Sequence, residues 1–248
     1  MSNNRYLGET HIHLECVNST NDYIKTNCLS YPEGTVVTAD TQTSGKGRLG
    51  RVWESGNTDA LYMSVLLKPD VKSVFLPLIT LMCGLAVCNA LNELGIPDCK
   101  IKWPNDIVSD NKKLCGILCE STITNGKIHI IAGIGINLNN VEFSPSIADK
   151  ACSLYSVTGK TFDKFNVMSL VLNHLQILYD EYKKCPTFFL DEYKDKCISL
   201  NRQVSFNKND RNITAIATDI DNTGSLICLL NGKSYAVSSG EVTVQGIY

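Results

Sequence analysis

The spacing of apolar residues predicts mostly β-strands in the first half of the chain. Period-two alternation and runs of β-branched residues are typical of strands, and they recur here with polar, Gly or Pro residues between them. A turn at Gly126 joins the last two predicted strands into a hairpin. The predicted strands are 11–17, 34–40, 60–68, 100–103, 112–120 and 127–138.

Helical spacing predicts three helices and one shorter amphipathic piece. The first helix begins in the polar stretch 18–23, where Ser19 or Thr20 can cap it. The second covers 76–94, and Gly95 ends its apolar pattern. The third helix and the shorter piece are 162–184 and 188–197.

The pattern changes near residue 198, where short strands follow one another with tight turns such as Asn231-Gly232. A unit of about fifty residues has too small a core to stand alone, so we expect a small barrel that packs against the rest. The sequence therefore predicts an α+β protein with two units, 1–197 and 198–248. The five strands of the second unit are 203–207, 213–218, 225–230, 233–237 and 242–245.

Composition and charge limit the classes of function. Of the 248 residues, 44% are hydrophobic and 19% are charged, which is an ordinary globular balance. The net charge of -2 argues against the broad basic surface of a DNA-binding protein. No basic segment precedes an apolar run at the N-terminus, and no stretch reaches about 18 consecutive apolar residues. We therefore expect a cytoplasmic protein without a membrane span.

Cysteine and histidine residues do not form a convincing metal-site pattern. Eleven cysteines are scattered without the two-residue spacing of zinc or redox motifs, so we interpret them as reduced and mostly buried. His11 and His13 lie on one face of the first predicted strand and could bind a metal, but no further cluster supplies the remaining ligands. A solvated strand face is the favoured interpretation, and no dedicated metal site is expected.

The stretch 42–51 alternates three glycines with three cations. Such a backbone can approach an anionic ligand closely, while Lys46, Arg48 and Arg51 neutralise the ligand's charge. A solvated basic turn would explain the same residues, because glycine-rich matches are weak on their own. Trp53, at the exit of this loop, could cover a flat ligand or simply pack.

Three further stretches carry candidate chemistry, each with a plain structural alternative. The helix start at 18–23 exposes backbone amides that could bind a polar or anionic group, or it is only capped. A proline-fixed turn would place Asn105 and Asp106 at the end of a strand, where reactive side chains are common. Gly133 and Gly135 face the same side of a strand and would let a ligand lie on the sheet, or they mark a bulge.

In combination, these motifs closely resemble those of the biotin protein ligases. The resemblance covers residues 18–155 and rests on five motifs. Most relatives have Arg where this chain has Lys46, so a point charge replaces a planar, bidentate donor. The motifs are Ser-Thr-Asn at 19–21, the loop 42–51 with Trp53, Lys-Trp-Pro-Asn-Asp at 102–106, Lys-Leu-Cys-Gly-Ile-Leu at 113–118 and Gly-Ile-Gly-Ile-Asn at 133–137.

The resemblance implies a mixed-sheet catalytic domain of the biotin/lipoate ligase type with a small SH3-like C-terminal domain. It also implies a two-step reaction through biotinyl-5'-AMP, with biotin and ATP as substrates and Mg2+ accompanying ATP. The implied catalytic residues are Arg48, Lys113 and Asp106. The implied biotin-binding residues are Ser19, Thr20, Asn21, Gln42, Gly45, Lys46, Gly47, Arg48, Lys113, Gly116, Gly133 and Gly135. The implied ATP or adenylate contacts are Arg48, Arg51, Trp53, Asn105, Lys113 and Asn137.

Other parts of the implied site are less defined. Lys102 and Asn105 either contact ligand or only stabilise their turn, and the Asn- and Ser-rich segment 138–156 is expected to be a second loop over the nucleotide. The implied acceptor is a biotin carboxyl carrier domain of a biotin-dependent carboxylase, and a homodimer is possible. Two alternatives stay open: a lipoate or octanoate ligase of related fold, and a non-catalytic sensor of biotinyl-AMP. Too few residues precede Ser19 for the helix-turn-helix of regulatory relatives, so DNA binding is not expected.

Overall fold

Alternating apolar residues in the first half of the chain build one seven-stranded sheet in the computed structural model, which describes residues 6–55, 59–208, 211–238, 240 and 242–248. The strands are β1 (His11–Val17), β2 (Val36–Gln42), β3 (Ala60–Leu67), β4 (Lys100–Lys102), β5 (Asp106–Ser109), β6 (Lys112–Thr124) and β7 (Lys127–Asn137). Their order across the sheet is β1-β2-β3-β7-β6-β5-β4. β1 and β2 are parallel and the other pairs are antiparallel, so the sheet is mixed.

Helices cover both faces of this sheet. One face packs against α2 and α4, whereas α1 covers part of the other through Ile24, which is buried with Val37, Leu66 and Ile131. Successive side chains of a strand point to opposite faces of the sheet. The residues next to Val37, Leu66 and Ile131 along their strands therefore point to the face that α2 and α4 cover. The helices are α1 (Thr20–Asn27), α2 (Leu78–Glu93), α3 (Leu154–Thr158), α4 (Lys164–Lys184) and α5 (Leu190–Lys196).

The segment that contains α2 is the most apolar part of the described chain. Within Ser73–Glu93, the mean hydropathy of 2.2 over an 18-residue window is enough, by length and composition, for a membrane span. However, 67% of that window is buried inside the protein. A helix that is apolar on all sides is also typical of a protein core, and α2 occupies that position between the sheet and α4.

A second, smaller sheet follows α5. Its strands are β8 (Gln203–Lys208), β9 (Arg211–Ile220), β10 (Leu226–Leu230), β11 (Lys233–Val237) and β12 (Val242–Val244), and all its pairs are antiparallel. The order is β11-β10-β9-β8-β12. The predicted α+β class, a mixed sheet followed by a small antiparallel one, is confirmed.

The two sheets share one buried apolar cluster. Ile101 and Tyr193 from the first part belong to it together with Val204 and Leu226 from the second. Polar contacts join the parts as well, since the Trp103 indole N–H donates to the Gly224 carbonyl at 3.0 Å. The small sheet therefore packs directly beside the turn that contains Pro104, and the boundary at residue 198 stays a prediction.

Two short elements were missed by the sequence patterns. β5 begins at Asp106, where a turn was predicted, because four residues after a proline give too short an alternation to recognise. α3 begins within the segment 138–156 that was predicted to be a loop and ends at Thr158, and a capping box between Ser153 and Ser156 starts it. Of the eleven cysteines, eight are buried and all are free thiols, as their apolar neighbours indicated.

Candidate functional site

The glycine-rich loop leaves β2 and folds back on itself as a narrow hairpin. The Gly47 N–H donates to the Arg51 carbonyl at 2.7 Å, and the Trp53 N–H donates to the Gly45 carbonyl at 3.0 Å. A Cβ on Gly45 would lie 2.3 Å from both the Ser55 hydroxyl and the Trp53 carbonyl, so only glycine fits there. Gly45 therefore shapes the loop and is not among the residues that line the two cavities described below, so its assignment to the biotin side stays a prediction.

A small cavity of about 60 Å3 lies on the sheet face that α1 covers. The other predicted biotin-binding residues come together around it, although their roles remain predictions. Two residues that no sequence motif contained, Tyr62 and Met63, also line it. The predicted residues in its lining are Ser19, Thr20, Asn21, Gln42, Lys46, Gly47, Arg48, Lys113, Gly116, Gly133 and Gly135.

Hydrogen bonds fix the polar end of this small cavity. The Gln42 side-chain oxygen accepts from the Thr20 N–H at 2.9 Å and from its hydroxyl at 3.2 Å. Ser64, which no sequence motif contained, donates to the Thr20 hydroxyl at 2.7 Å and lies 2.6 Å from Asn21 Oδ1. Ser19 occupies the N-cap position of α1, but its side chain makes no capping bond there. The α1 start is therefore held by Gln42 and Ser64.

The glycines of the sheet make room for protein side chains. A Cβ on Gly133 would lie 2.3 Å from Asn21 Oδ1, and one on Gly135 would lie 2.7 Å from the Trp53 ring. A Cβ on Gly116, which pairs with Gly135 across β6 and β7, would also lie 2.7 Å from this ring. Asn21 and the indole occupy the space above Gly133 and Gly135 in this conformation, and the assignment of both glycines to the biotin site stays a prediction.

A larger cavity of about 790 Å3 begins on the other side of Trp53. All six predicted nucleotide contacts border it, and so do residues that no motif indicated, such as Asn140, Phe143, Lys150, Gly240 and Tyr248. The segment 138–156 forms part of the wall, as expected of a second loop, whereas the C-terminal residues carried no sequence signal. The predicted residues in its lining are Arg48, Arg51, Trp53, Lys102, Asn105, Asp106, Lys113 and Asn137.

Asn137 has a structural contact in addition to its place in this wall. Its side-chain amide donates to the Cys152 carbonyl at 2.9 Å, and the residue is buried. The same segment is joined to the glycine loop by Glu54, which accepts from the Ser144 hydroxyl at 2.8 Å. The two loops that border the larger cavity are therefore linked to each other and to the end of β7.

Two positively charged side chains lie where the two cavities meet. Arg48 and Lys113 line both cavities, and Trp53 separates them. The Arg48 guanidinium donates to Asn105 Oδ1 at 2.9 Å and to the Gly240 carbonyl at 3.1 Å. The Lys113 ammonium forms an ion pair with Asp106 Oδ1 at 2.8 Å. Positive charge is thus held at the junction of the two cavities.

Lys46, the residue that departs from the family pattern, pairs with Asp22 on α1. The hydrogen bond from the Lys46 ammonium to the Asp22 carboxylate raises the pKa of Lys46. The pair joins the glycine loop to the helix beside the small cavity. Lys46 therefore contributes a loop contact as well as a charge.

Metal-binding groups are not gathered at this site. Within residues 6–55, 59–208, 211–238, 240 and 242–248, no group of three or more His, Cys, Asp or Glu side chains is arranged to hold a metal ion. His11 and His13 share the Thr38 hydroxyl, at 2.8 and 2.9 Å. This geometry matches the favoured interpretation of the two histidines as part of a strand face.

Comparisons with known proteins agree with the sequence motifs. Residues 13–137 match the model of the Biotin/lipoate A/B protein ligase family, and residues 199–244 match the Biotin protein ligase C terminal domain. A solved structure described as biotin protein ligase from Aquifex aeolicus in complex with biotin and ATP is 33% identical, with a TM-score of 0.84. The similarity covers 96% of this chain and 99% of the Aquifex chain.

Two curated relatives are also similar in sequence to this chain, over different lengths. The Bifunctional ligase/repressor BirA of Bacillus subtilis (strain 168) is 38% identical over 154 residues, which are 61% of this chain and 47% of that protein. The Biotin--[acetyl-CoA-carboxylase] ligase of Mycobacterium tuberculosis is 27% identical over 219 residues, which are 85% of this chain and 79% of that protein. The match to this chain thus spans about half the length of the Bacillus protein.

Proposed function

Because the chain belongs to the biotin/lipoate A/B protein ligase family, we propose that it is an ATP-dependent biotin protein ligase. It forms biotinyl-5'-AMP from biotin and ATP and then transfers biotin to a lysine of a carboxylase's biotin carboxyl carrier domain. The observation that carries the proposal is the junction of the two cavities, since Arg48 and Lys113 line both of them. Two anionic substrates that meet there would have their charge neutralised at the reacting atoms.

Biotin is assigned to the small cavity and ATP to the larger one. The hydroxyl and amide groups of Thr20, Asn21 and Gln42 suit the polar ring of biotin, whose apolar part would contact Tyr62 and Leu118. About 60 Å3 holds only a few water molecules, so biotin enters when Trp53 or the glycine loop moves aside. The glycines under the indole then give the ligand a flat floor.

In the first step, a carboxylate oxygen of biotin attacks the α-phosphorus of ATP. A new P–O bond forms, the bond to the β-phosphate oxygen breaks, and pyrophosphate leaves with the electron pair. Arg48 and Lys113 stabilise the charge that builds up on the phosphate oxygens. Magnesium would accompany ATP as part of that substrate and would screen the charge of the triphosphate.

In the second step, the lysine of the carrier domain attacks the biotinyl carbonyl. Its ammonium first loses one proton, the C–N bond forms, and the C–O bond to phosphate breaks, so that AMP leaves with the electron pair. The nitrogen then gives up its second proton to solvent, which leaves the neutral amide. Asp106 is assigned to accept or orient that ammonium. Its carboxylate borders the larger cavity beside Lys113, from which the acceptor lysine would reach the anhydride.

The loop contacts serve to protect the intermediate. Biotinyl-AMP is an acid anhydride that water would destroy, and closure of loops over a site excludes water. Arg48 joins the glycine loop to Asn105 and Gly240, and Glu54 joins it to Ser144. These contacts hold both loops over the junction. The proposal further places the enzyme in the cytoplasm, where ATP and carboxylases occur, and allows a homodimer.

The alternatives are a lipoate or octanoate ligase and a non-catalytic sensor of biotinyl-AMP. The match to the Biotin protein ligase C terminal domain over 199–244 favours the biotin substrate. The presence of a lysine-carboxylate pair at the cavity junction favours catalysis over mere binding. The curated relatives include bifunctional ligase/repressors, so ligase activity and regulation are not exclusive in this family.

Mass measurement of a carrier domain tests the proposal. The protein is incubated with ATP, Mg2+ and a purified carrier domain, together with an equal mixture of biotin and lipoate. We expect the carrier to gain one biotinyl group and no lipoyl group. A lipoyl gain would assign the related ligase activity, and no gain with biotin bound would assign the sensor.

A further inference from the structure

The hydroxyl of Tyr248, which follows the small sheet, reaches the proposed catalytic carboxylate. It donates a hydrogen bond to Asp106 Oδ2. The other carboxylate oxygen, Oδ1, is 2.8 Å from the Lys113 ammonium. Each oxygen of Asp106 therefore has its own partner, one from the mixed sheet and one from the C-terminal part of the chain.

Tyr248 is held in this place by its surroundings. Its backbone N–H donates to the Asn111 carbonyl at 3.2 Å, at the turn between β5 and β6. The residue before it, Ile247, is only 2% exposed and anchors the segment in the core. The Lys102 ammonium lies 3.7 Å from the centre of the Tyr248 ring. A cation on the ring face withdraws electron density, which strengthens the phenol as a hydrogen-bond donor.

We propose that Tyr248 is a positioning residue for the transfer step, and that the C-terminal domain thereby takes part in the chemistry. The inference rests on the ligase function proposed above. When ATP binds, Lys113 moves from Asp106 Oδ1 to the phosphate oxygens. Tyr248 keeps hold of Oδ2, so the carboxylate stays in its orientation while Oδ1 becomes available to the acceptor ammonium.

The arrangement distinguishes this role from simple packing. Tyr248 lines the larger cavity, and its hydroxyl bonds to the carboxylate that is proposed to act there, not to a group in the protein core. The first step makes no use of Asp106 in this scheme. Loss of the hydroxyl should therefore affect the transfer step and leave the adenylation step unchanged.

Tyr248→Phe tests the proposal, because it keeps the ring and its contact with Lys102 but removes the donor. The matched control is Tyr235→Phe. Tyr235 lies in the same small sheet, its ring is 5.2 Å from the Lys208 ammonium, and it lines neither cavity. Purified parent and variants are loaded with biotinyl-AMP, and single-turnover transfer to a carrier domain is measured. Biotinyl-AMP formation and the thermal midpoint are measured in parallel.

We expect Tyr248→Phe to slow transfer about tenfold, the typical effect of losing a hydrogen bond to a charged group. In Tyr248→Phe, the KM for the carrier and the adenylation rate should stay at parent values. The control Tyr235→Phe should match the parent in its transfer rate as well. Transfer of biotin to hydroxylamine is a second measurement. Hydroxylamine is uncharged at neutral pH, so it attacks the anhydride without first giving a proton to Asp106. Formation of biotin hydroxamate by Tyr248→Phe should equal that of the parent.

Two results would overturn the inference. Transfer at the parent rate would show that Tyr248 does not support Asp106. An equal slowing with the carrier lysine and with hydroxylamine would show that the hydroxyl only maintains the fold of the site. If the parent itself forms no biotinyl-AMP, the ligase function fails, which is a separate and distinguishable outcome.

Discussion

The Arg48 guanidinium donates to the side-chain oxygen of Asn105 at 2.9 Å and so ties the glycine loop to the turn that carries Asp106. The same guanidinium donates to the Gly240 carbonyl at 3.1 Å. One side chain thus connects three parts of the chain that are far apart in sequence. Since these parts enclose the junction of the two cavities, the contacts of Arg48 bear on how long an intermediate stays there.

Arg48→Gly should still form biotinyl-AMP but release it early. The anhydride would lose a charged donor, and the loop would lose its tie to Asn105, so we expect release to be faster by about tenfold to a hundredfold. Lys113 still supplies positive charge for the first step in this variant. Rapid-filtration measurement of bound intermediate against time checks the rate. Arg48→Lys, which keeps the charge without the planar fork, should be intermediate, and retention equal to the parent in Arg48→Gly would contradict the role.

Lys113→Ala should lower the rate of adenylation by at least about a hundredfold, because its ammonium is a principal charge on the transferring phosphate. Pyrophosphate release in the presence of biotin and ATP is the measurement. Lys112→Ala is the matched control, since Lys112 is the adjacent residue on β6 and lines neither cavity. Pyrophosphate release by Lys113→Ala at the control's rate would remove Lys113 from the first step.

Gly133→Ala should raise the KM for biotin by about tenfold, which is the cost of a typical steric clash in a packed site. The added Cβ would lie 2.3 Å from Asn21 Oδ1 and would displace the amide that contacts Ser64. Gly84→Ala is the control, because the nearest atom to its Cβ is 3.8 Å away, in ordinary contact within α2. Steady-state kinetics with biotin as the varied substrate compares the two. An unchanged KM would mean that Asn21 does not shape the biotin site.

Lys46→Arg should slow the release of biotinyl-AMP by about twofold to fivefold. A guanidinium can contact both oxygens of Asp22, whereas the Lys46 ammonium makes one charge contact from the loop to α1. Both groups are partly exposed, so the gain should shrink as salt is added. Filtration assays at low and high ionic strength measure it. A faster release by Lys46→Arg would show that the ion pair does not restrain the loop.

Much of the fold could be predicted from local patterns. The alternation in β1 and β7 and the all-round apolar character of α2 are properties of single segments, and each appears where its pattern indicated. Most residues of the candidate site came from motifs in the loop 42–51, at 102–106 and in β7. β5 was missed because its four residues are recognised as a strand only through their pairing with β4 and β6.

Contacts between distant parts of the chain could not be predicted. Ser64 lies in a uniformly buried strand, and only the folded sheet shows that its hydroxyl meets Thr20 and Asn21. Tyr248 reaches Asp106 through the docking of the small sheet, for which the sequence holds no motif. The position of Trp53 on the sheet glycines likewise depends on how the loop folds back. Such contacts need tertiary structure because neither partner is marked by local spacing.

The central claim is that Arg48 and Lys113 bring biotin and the α-phosphate of ATP together at one junction. The most direct test is a single-turnover reaction with ATP labelled at the α-phosphate, biotin and Mg2+, without any acceptor. We expect about one equivalent of enzyme-bound label that migrates as biotinyl-AMP, and its conversion to free AMP when a carrier domain is added. Label that remains in ATP, although biotin and ATP are both shown to bind, would contradict it.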